Sequence, residues 1–266
     1  MGFLDLFKKK QAPAEQPETS SKKVGSFTGF ALLSSPDWDR DQWIRDLKDD
    51  WNLDTTKDCD SNEHVFTFSI DSITAYVALM PVPIPNGEAE RAAAANYLWK
   101  EAAETVKSHR AHLVVGVSGA GPDVKKTGEL FVKLLCCCCK QRNALGIYSN
   151  ATVFEPRFYM AGADMMKNGQ LPILNLIWFG LYRGKKGMCC YTCGLESFGK
   201  DEMEVVDAKA QPSDVQNFLL NLTSYVLKND VTLNHGETVG FSAEDKHRIR
   251  RGQGVSLPGI TLKIEY

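Results

Sequence analysis

The sequence predicts an α+β protein with a duplicated ferredoxin-like fold, in which two antiparallel sheets pack about a pseudo-two-fold axis. The first observation is that the predicted elements follow the order β-α-β-β-α-β twice along 266 residues. The second is that segments 73–80 and 173–182 are apolar on both faces, so each sheet needs cover on both sides. Packing the two sheets on each other would supply that cover, and two independent domains are the alternative.

The first half is predicted over residues 25–120. Its first helix should begin after Ser35, a candidate N-cap, with Pro36 in the first turn and Trp43 on the inner face. A stripe of alanine and tryptophan at helical spacing predicts one long second helix over 88–108. Strands are predicted at 27–33, 64–70, 73–80 and 112–117, with the second and third joined in a hairpin.

A connecting segment, 121–142, contains a predicted helix over 123–140 and leads to the second half, 143–266. The same order of elements then returns. Strands are predicted at 144–148, 173–182 and 188–193, with a last one near Thr232 or Val239, and helices at 155–167 and 213–227.

Charge and cysteine content limit the class of protein. Lys and Arg number 31 against 33 Asp and Glu, a net charge of −2, which argues against a nucleic-acid binder driven by overall charge. The charge at the N-terminus follows a short apolar stretch, the reverse of a secretory signal. Four consecutive cysteines, 136–139, cannot pair with one another without strain and are typical of a reducing compartment. We therefore expect a cytoplasmic protein.

The cysteines also bear on cofactors. Cys190 and Cys193 have C-x-x-C spacing, which leaves a zinc or iron–sulfur site as an alternative. However, Cys138 lies on the apolar stripe of a predicted helix, and Cys189 and Cys193 alternate within an apolar strand. We expect these three cysteines to be mostly buried, unpaired and free of metal, and we expect no cofactor.

The first 24 residues are predicted to be a flexible tail with a short amphipathic head. Phe3, Leu4 and Phe7 share one face of a short helix, and three lysines follow them. Residues 11–23 lack the apolar side chains that a core requires. Residues 1–10 are therefore candidates for weak contact with a membrane surface or a partner.

Two charged clusters are the candidate binding sites. The segment 37–63 holds ten acids and four bases, so its charge is 4 − 10 = −6, and Asp37, Asp39 and Asp41 at its start are the predicted contacts for a basic partner. The second, basic cluster follows Ser242–Asp245, a sequence similar to the capping box that begins a helix. We therefore expect a helical turn that presents the basic side chains to an anion or an acidic partner. These bases are Lys246, Arg248, Arg250 and Arg251. The alternative is that they fold the tail onto the acidic first half.

The C-terminal segment 235–266 is the most distinctive in the chain. Its pattern resembles the C-terminus of a bacterial family, the domain-of-unknown-function family 4261, and the strand 144–148 is also similar. The matching residues are Gly236, Thr238, Gly240, Phe241, Ile249, Arg250, Pro258, Gly259 and the terminal Lys263, Ile264, Glu265 and Tyr266. The resemblance implies that the family extends over 25–266. It implies no catalytic residue, and it suggests an immunity role because some members accompany secreted toxin systems.

The sequence contains no catalytic motif of high specificity, and its five histidines are scattered. We therefore expect a non-enzymatic binding or protein-interaction module, with immunity against a partner toxin as its most specific form. The alternative is a ligand-binding or enzymatic protein that uses the cleft between the two halves. A convergent polar pocket with perturbed titratable groups would favour that alternative. The oligomeric state is left open.

Overall fold

The chain is described by a computed structural model over residues 24–119, 123–242 and 245–266. Within these ranges it forms two sheets, of seven and six strands, in which most neighbouring strands are antiparallel. The α+β class is therefore confirmed. The predicted amphipathic head lies outside the described residues.

The first sheet has the strand order β2-β3-β4-β5-β1-β6-β7, with every neighbouring pair antiparallel. Strand β1 lies between β5 and β6 and places Phe30 opposite Val114 on one side and Tyr148 on the other. The Phe30 and Tyr148 rings stack with their centroids 5.7 Å apart. The strands are β1 (Ser26–Leu33), β2 (Cys59–Ser61), β3 (Val65–Ile70), β4 (Ile73–Met80), β5 (Ala111–Gly119), β6 (Ala144–Ser149) and β7 (Thr152–Phe154).

The second sheet has the order β11-β12-β13-β10-β9-β8, and β10 and β13 are parallel neighbours. Its strands are β8 (Trp178–Arg183), β9 (Met188–Cys193), β10 (Met203–Ala208), β11 (Thr238–Val239), β12 (His247–Gln253) and β13 (Ile260–Ile264). Of these, the sequence predicts β9 with both of its ends, but it does not predict β10, β12 or β13.

The strand order does not confirm the duplicated ferredoxin-like topology. In the split β-α-β units of that fold, the first strand of a half lies between its third and fourth strands, whereas here β5 lies between β4 and β1 and pairs with both. In addition, β6 was predicted to open the second half, but it pairs with β1 of the first sheet. The physical reason is that each strand offers hydrogen-bonding groups along both edges. The order of elements in the sequence therefore leaves the choice of neighbour open.

The described residues form seven α-helices: α1 (Arg40–Trp51), α2 (Glu88–Ala94), α3 (Ala102–Val106), α4 (Val124–Cys138), α5 (Pro156–Ala163), α6 (Ile173–Leu176) and α7 (Pro212–Lys228). Helix α4 packs on β1 and β5, and α1 and α5 lie beside it. Helix α7 packs on β8, β9 and β10, and one hydrophobic core contains buried side chains from both sheets. A smaller core joins α2 and α3 to the other face of the first sheet.

Two predicted helix boundaries in the first half are wrong. Helix α1 begins after Asp39, whose carboxylate accepts a hydrogen bond from the Gln42 amide at 2.9 Å, so Asp39 rather than Ser35 is the N-cap. The long helix 88–108 is divided into α2 and α3. Asn96 interrupts it because its side-chain oxygen accepts hydrogen bonds from the amides of Leu98 and Trp99.

Two further predictions are wrong, because neither segment is long enough to reveal whether its period is that of a helix or of a strand. Residues 173–176 form a turn of helix before β8 begins at Trp178, so the predicted strand 173–182 is shorter. Arg248, Arg250 and Arg251 lie on β12, a strand rather than a helical turn, and Lys246 precedes it. There Ile249 is buried between two exposed arginines, the period-2 pattern of a strand with one covered face.

The cysteine prediction is confirmed for burial at two of its three positions. Cys138 and Cys189 are buried free thiols, and Cys193 is half-buried. Burial in the core raises the pKa of Cys138, and it raises the pKa of neighbouring Cys136 to about 12. These thiols therefore stay protonated at neutral pH and behave as small apolar side chains. Among the described residues, no cluster of three His, Cys, Asp or Glu side chains is placed to hold a metal ion.

The described helices also bear on membrane insertion. The longest of them, α7, has 17 residues, and no helix in the described ranges combines the length and apolar character needed to cross a bilayer.

Candidate functional site

The three predicted acidic residues lie together at the start of α1, and we name them the acidic surface. Asp41 is exposed in the first turn, Asp39 caps the helix, and Asp37 accepts a hydrogen bond from the Ser35 hydroxyl at 2.7 Å. The Asn143 amide donates to the carbonyls of Ser35 and Asp37, both at 2.9 Å. Hydrogen bonds therefore connect the backbone at the acidic surface to the segment that follows α4.

An open depression of about 570 Å³ adjoins the acidic surface. Asp37 and Asp39 line it, but so do Lys140 and Arg142. Lys140 binds Asp46 and Asp50 of α1, with its ammonium 3.0 Å from the Asp50 carboxylate. Burial alone would lower the pKa of Lys140, but the hydrogen bonds and charges of the two carboxylates outweigh it and raise the pKa. The depression is thus a mixed-charge surface with a fixed ion pair beneath it.

Three of the four predicted basic residues lie on β12, and two of these form ion pairs with nearby acids. Arg250 forms an ion pair with Glu265, and the Arg251 guanidinium lies 2.7 Å from Asp201. Lys246 and Arg248 are exposed. The proposal that the basic cluster folds the tail onto the acidic first half is therefore wrong for Arg250 and Arg251, whose partners lie in or next to the second sheet.

A third surface, absent from the predicted sites, is an apolar groove of about 670 Å³ between α7 and the segment 231–241. We name it the α7 groove. Phe218, Leu222 and Tyr225 of α7 form one wall at helical spacing, and Phe241 closes one end. Tyr225 is 50% and Phe241 58% exposed, although both are large and apolar.

An aromatic cluster makes that end of the groove rigid. The rings of His247, Phe218 and Tyr266 contact one another, with centroids 4.6 to 4.9 Å apart, and the Phe241 ring lies 5.6 Å from Phe218. One ring nitrogen of His247, Nδ1, lies 2.9 Å from the Glu265 carbonyl oxygen. The other, Nε2, lies 2.6 Å from an Asp245 carboxylate oxygen. Hydrogen bonding and stacking together hold the side chains that shape the groove.

Acidic side chains lie in and beside the groove. Glu237 lines it, and its pKa is lowered by hydrogen bonds from the Asn234 side chain and backbone. The Asp245 carboxylate accepts the Phe241 amide at 2.9 Å, and this bond, with a smaller contribution from His247, lowers its pKa. Both carboxylates are ionised at neutral pH, so Glu237 places a negative charge in the lining of the groove and Asp245 places one beside Phe241.

Sequence reasoning missed the groove for a specific reason. Phe218 and Leu222 have the spacing of the inner face of the predicted helix 213–227, and both are buried. Tyr225, the next residue at that spacing, is not among the predicted site residues and remains half exposed. The available signal was Phe241, an aromatic residue in a glycine-rich loop within the distinctive C-terminal segment.

Comparison with known proteins places the groove in a recognisable part of the chain. A family model described as Domain of unknown function (DUF4261) matches residues 191–265. No curated protein and no solved structure matches the chain. The walls of the α7 groove, from Phe218 to Phe241, lie within the matched range. Over residues 191–265, therefore, this chain resembles the DUF4261 family.

Proposed function

We propose that this protein is a non-enzymatic protein-interaction module of the bacterial cytoplasm, and that its most specific form is an immunity protein for a partner toxin. The partner inserts an apolar segment flanked by basic side chains into the α7 groove. The observation that carries this proposal is the pair of exposed aromatic side chains, Tyr225 and Phe241, on an apolar groove inside the family-matched range.

The chemistry of the groove supports a protein partner. Large apolar patches rimmed by polar groups on a protein surface mark interaction sites, because leaving them in water forgoes the free energy of burial. Aromatic side chains in a concave, rigid setting are also the residue types that dominate binding energy at protein interfaces. Here the cluster around His247 supplies the rigidity.

Charge supports a basic partner. Glu237 in the lining of the groove and Asp245 beside Phe241 are negative, and segment 37–63 carries a net charge of −6 elsewhere on the first half. Complementary charge accelerates association and rejects partners of the same sign. A peptide with lysine or arginine beside its apolar residues can bury the apolar residues in the groove and pair its basic groups with the nearby carboxylates.

A displayed random-peptide library, selected on the purified protein, tests the proposal. We expect enriched peptides that combine apolar and basic residues, and we expect the double variant Tyr225→Ala, Phe241→Ala to weaken their binding by at least about tenfold. Val255→Ala is the matched control, since Val255 is 62% exposed and does not line the groove. Enrichment of acidic peptides, or equal binding to the double variant and the control, would contradict the proposal.

Affinity purification from the native host tests the immunity form. We expect a neighbouring reading frame to encode a protein that is retained by the wild-type chain and lost with the double variant. The purified pair should then bind with a measurable Kd and neutralise the partner's toxicity. A retained protein that binds the double variant as well as wild type would contradict the assigned surface.

A further inference from the structure

We propose that the cleft between the two sheets is a binding site for a small, neutral, planar heterocycle of nucleoside size, which stacks on the ring of Tyr191. This inter-sheet cleft has a volume of about 300 Å³ and lies between β8 and β9 on one side and α2 and the start of β7 on the other. It is separate from the α7 groove and goes beyond protein binding.

The floor of the cleft is built for an aromatic surface. The Tyr191 ring covers Gly180 of the neighbouring strand, and a Cβ atom at Gly180 would come within 2.1 Å of the ring carbon Cζ. Any side chain at position 180 would therefore push the ring off the sheet. The Trp178 side chain lines the cleft together with Tyr191. Aromatic faces of this kind stack with planar ligands.

The opposite walls are made of small side chains. Ala92 of α2 and its C-cap Ala95, with Ala151 and Thr152 at the turn into β7, face the aromatic floor across the cleft. Small residues on one side and flat rings on the other leave a space shaped for a planar group. The volume is at the lower end of the range for small-molecule pockets, about 300–1,000 Å³.

A buried carboxylate fixes the remaining wall. Glu204 is fully buried and accepts hydrogen bonds from the amides of Val255, Ser256 and Leu257 at 2.9, 2.7 and 3.1 Å, and from the Thr261 hydroxyl at 3.0 Å. This network holds the loop rigidly, as supporting residues do around a preorganised site.

The loop places a hydroxyl pair at the cleft. Held in this way, Ser256 has its hydroxyl 2.9 Å from the Tyr182 hydroxyl, and both residues line the cleft. The pair can donate and accept hydrogen bonds with the edge of a ring.

The lining selects for a neutral ligand. Among the described residues that line the cleft, none carries a charged side chain. Burial raises the pKa of both Tyr182 and Tyr191, so their hydroxyls are protonated at neutral pH. A phosphate or an ammonium group would lose hydration here without meeting an opposite charge. A neutral heterocycle has a face to stack and edge groups that pair with the hydroxyls.

Binding of a defined panel to the full chain tests the proposal. The panel contains adenosine and uridine as neutral heterocycles, AMP as a charged analogue and glucose as a non-aromatic ring, with Trp fluorescence and calorimetry as readouts. We expect saturable binding of a nucleoside tighter than about 1 mM. Tyr191→Leu should weaken that binding by at least about tenfold. Ser256→Ala should weaken it measurably, and it keeps the proposal testable should Tyr191→Leu fail to fold.

The chain offers a matched control. In the first sheet Tyr76 covers Gly116 in the same manner, with a Cβ at Gly116 coming within 2.2 Å of its ring, and it does not line the cleft. Tyr76→Leu should therefore leave nucleoside binding unchanged, as should Phe241→Ala in the α7 groove. Absence of saturable nucleoside binding, preference for AMP or glucose, or equal binding to Tyr191→Leu and Tyr76→Leu would each overturn the proposal.

Discussion

The replacement Glu204→Gln tests whether the buried carboxylate is the main support of the loop 255–257. Glu204 is fully buried, and its two oxygens accept three backbone amides and one hydroxyl. The amide of glutamine occupies the same volume, but it replaces one acceptor oxygen with a donor. The change therefore removes charge and acceptor capacity while leaving the packing nearly unaltered.

The magnitude follows from the hydrogen bonds. A hydrogen bond to a charged group contributes about 1.5–3 kcal/mol and a neutral one about 0.5–1.5, so each backbone bond loses about 1 kcal/mol. Three such bonds give about 3 kcal/mol, and the lower cost of burying a neutral group offsets part of this. We expect Glu204→Gln to lower the free energy of unfolding by about 2 kcal/mol, a large fraction of a typical 5–15 kcal/mol.

Urea unfolding followed by tryptophan fluorescence measures the effect. An unchanged m-value would show that the free energy of unfolding has changed without a change in the surface exposed on unfolding. Hydrogen exchange adds a local readout, because the amides of residues 255–257 should exchange faster in the variant. Glu101→Gln is the matched control, since Glu101 is exposed and its side chain forms no cap bond at α3. A Glu204→Gln variant within about 0.5 kcal/mol of wild type would refute the reasoning.

Two further predictions concern charge. Replacing Asp37 and Asp41 by lysine, while keeping the helix cap Asp39, should change the association rate with a basic partner more than the dissociation rate. The decrease in the association rate should be smaller at high salt, and stopped-flow measurements at two ionic strengths check this. An unchanged association rate would show that the acidic surface is not part of the interface. Burial lowers the pKa of His112 in the folded protein despite a hydrogen bond to the Val82 carbonyl. The unfolded state therefore binds more protons than the folded state, and the free energy of unfolding falls as the pH drops below the unfolded-state pKa of about 6.5. His112→Gln should reduce the loss of unfolding free energy between about pH 7.5 and pH 5.5, and an equal loss in wild type and variant would contradict this.

Local sequence patterns predicted those elements whose contacts are local. The hairpin of β3 and β4 turns at Asp71, which adopts a left-handed φ of 52°, as an Asx–Ser pair between two apolar runs indicates. Helix α4 begins after its N-cap Asp123 and buries Cys138 on its apolar stripe. Helix α7 begins at Pro212, within one residue of the predicted start, because proline suits the first turn of a helix.

The acidic residues show how far site prediction could go. Their sequence positions sufficed to predict that Asp37, Asp39 and Asp41 share one surface. The sequence did not reveal that the Asp39 carboxylate accepts a hydrogen bond from the Gln42 amide. Nor did it reveal that Lys140, about a hundred residues away in the chain, places a positive charge in the same depression. Charge counts along a segment cannot include charges that the fold brings in from elsewhere.

The sequence by itself determined the α+β class, the positions of α4 and α7, and the burial of Cys138 and Cys189, because periodicity and capping act between residues a few positions apart. Only the tertiary structure decided that β6 pairs with β1, that Tyr191 covers Gly180, and that Glu204 binds the amides of residues 255–257. Each of these contacts joins two groups, and each group could form a chemically equivalent contact with many other residues of the chain. The choice among those partners depends on how the whole core packs.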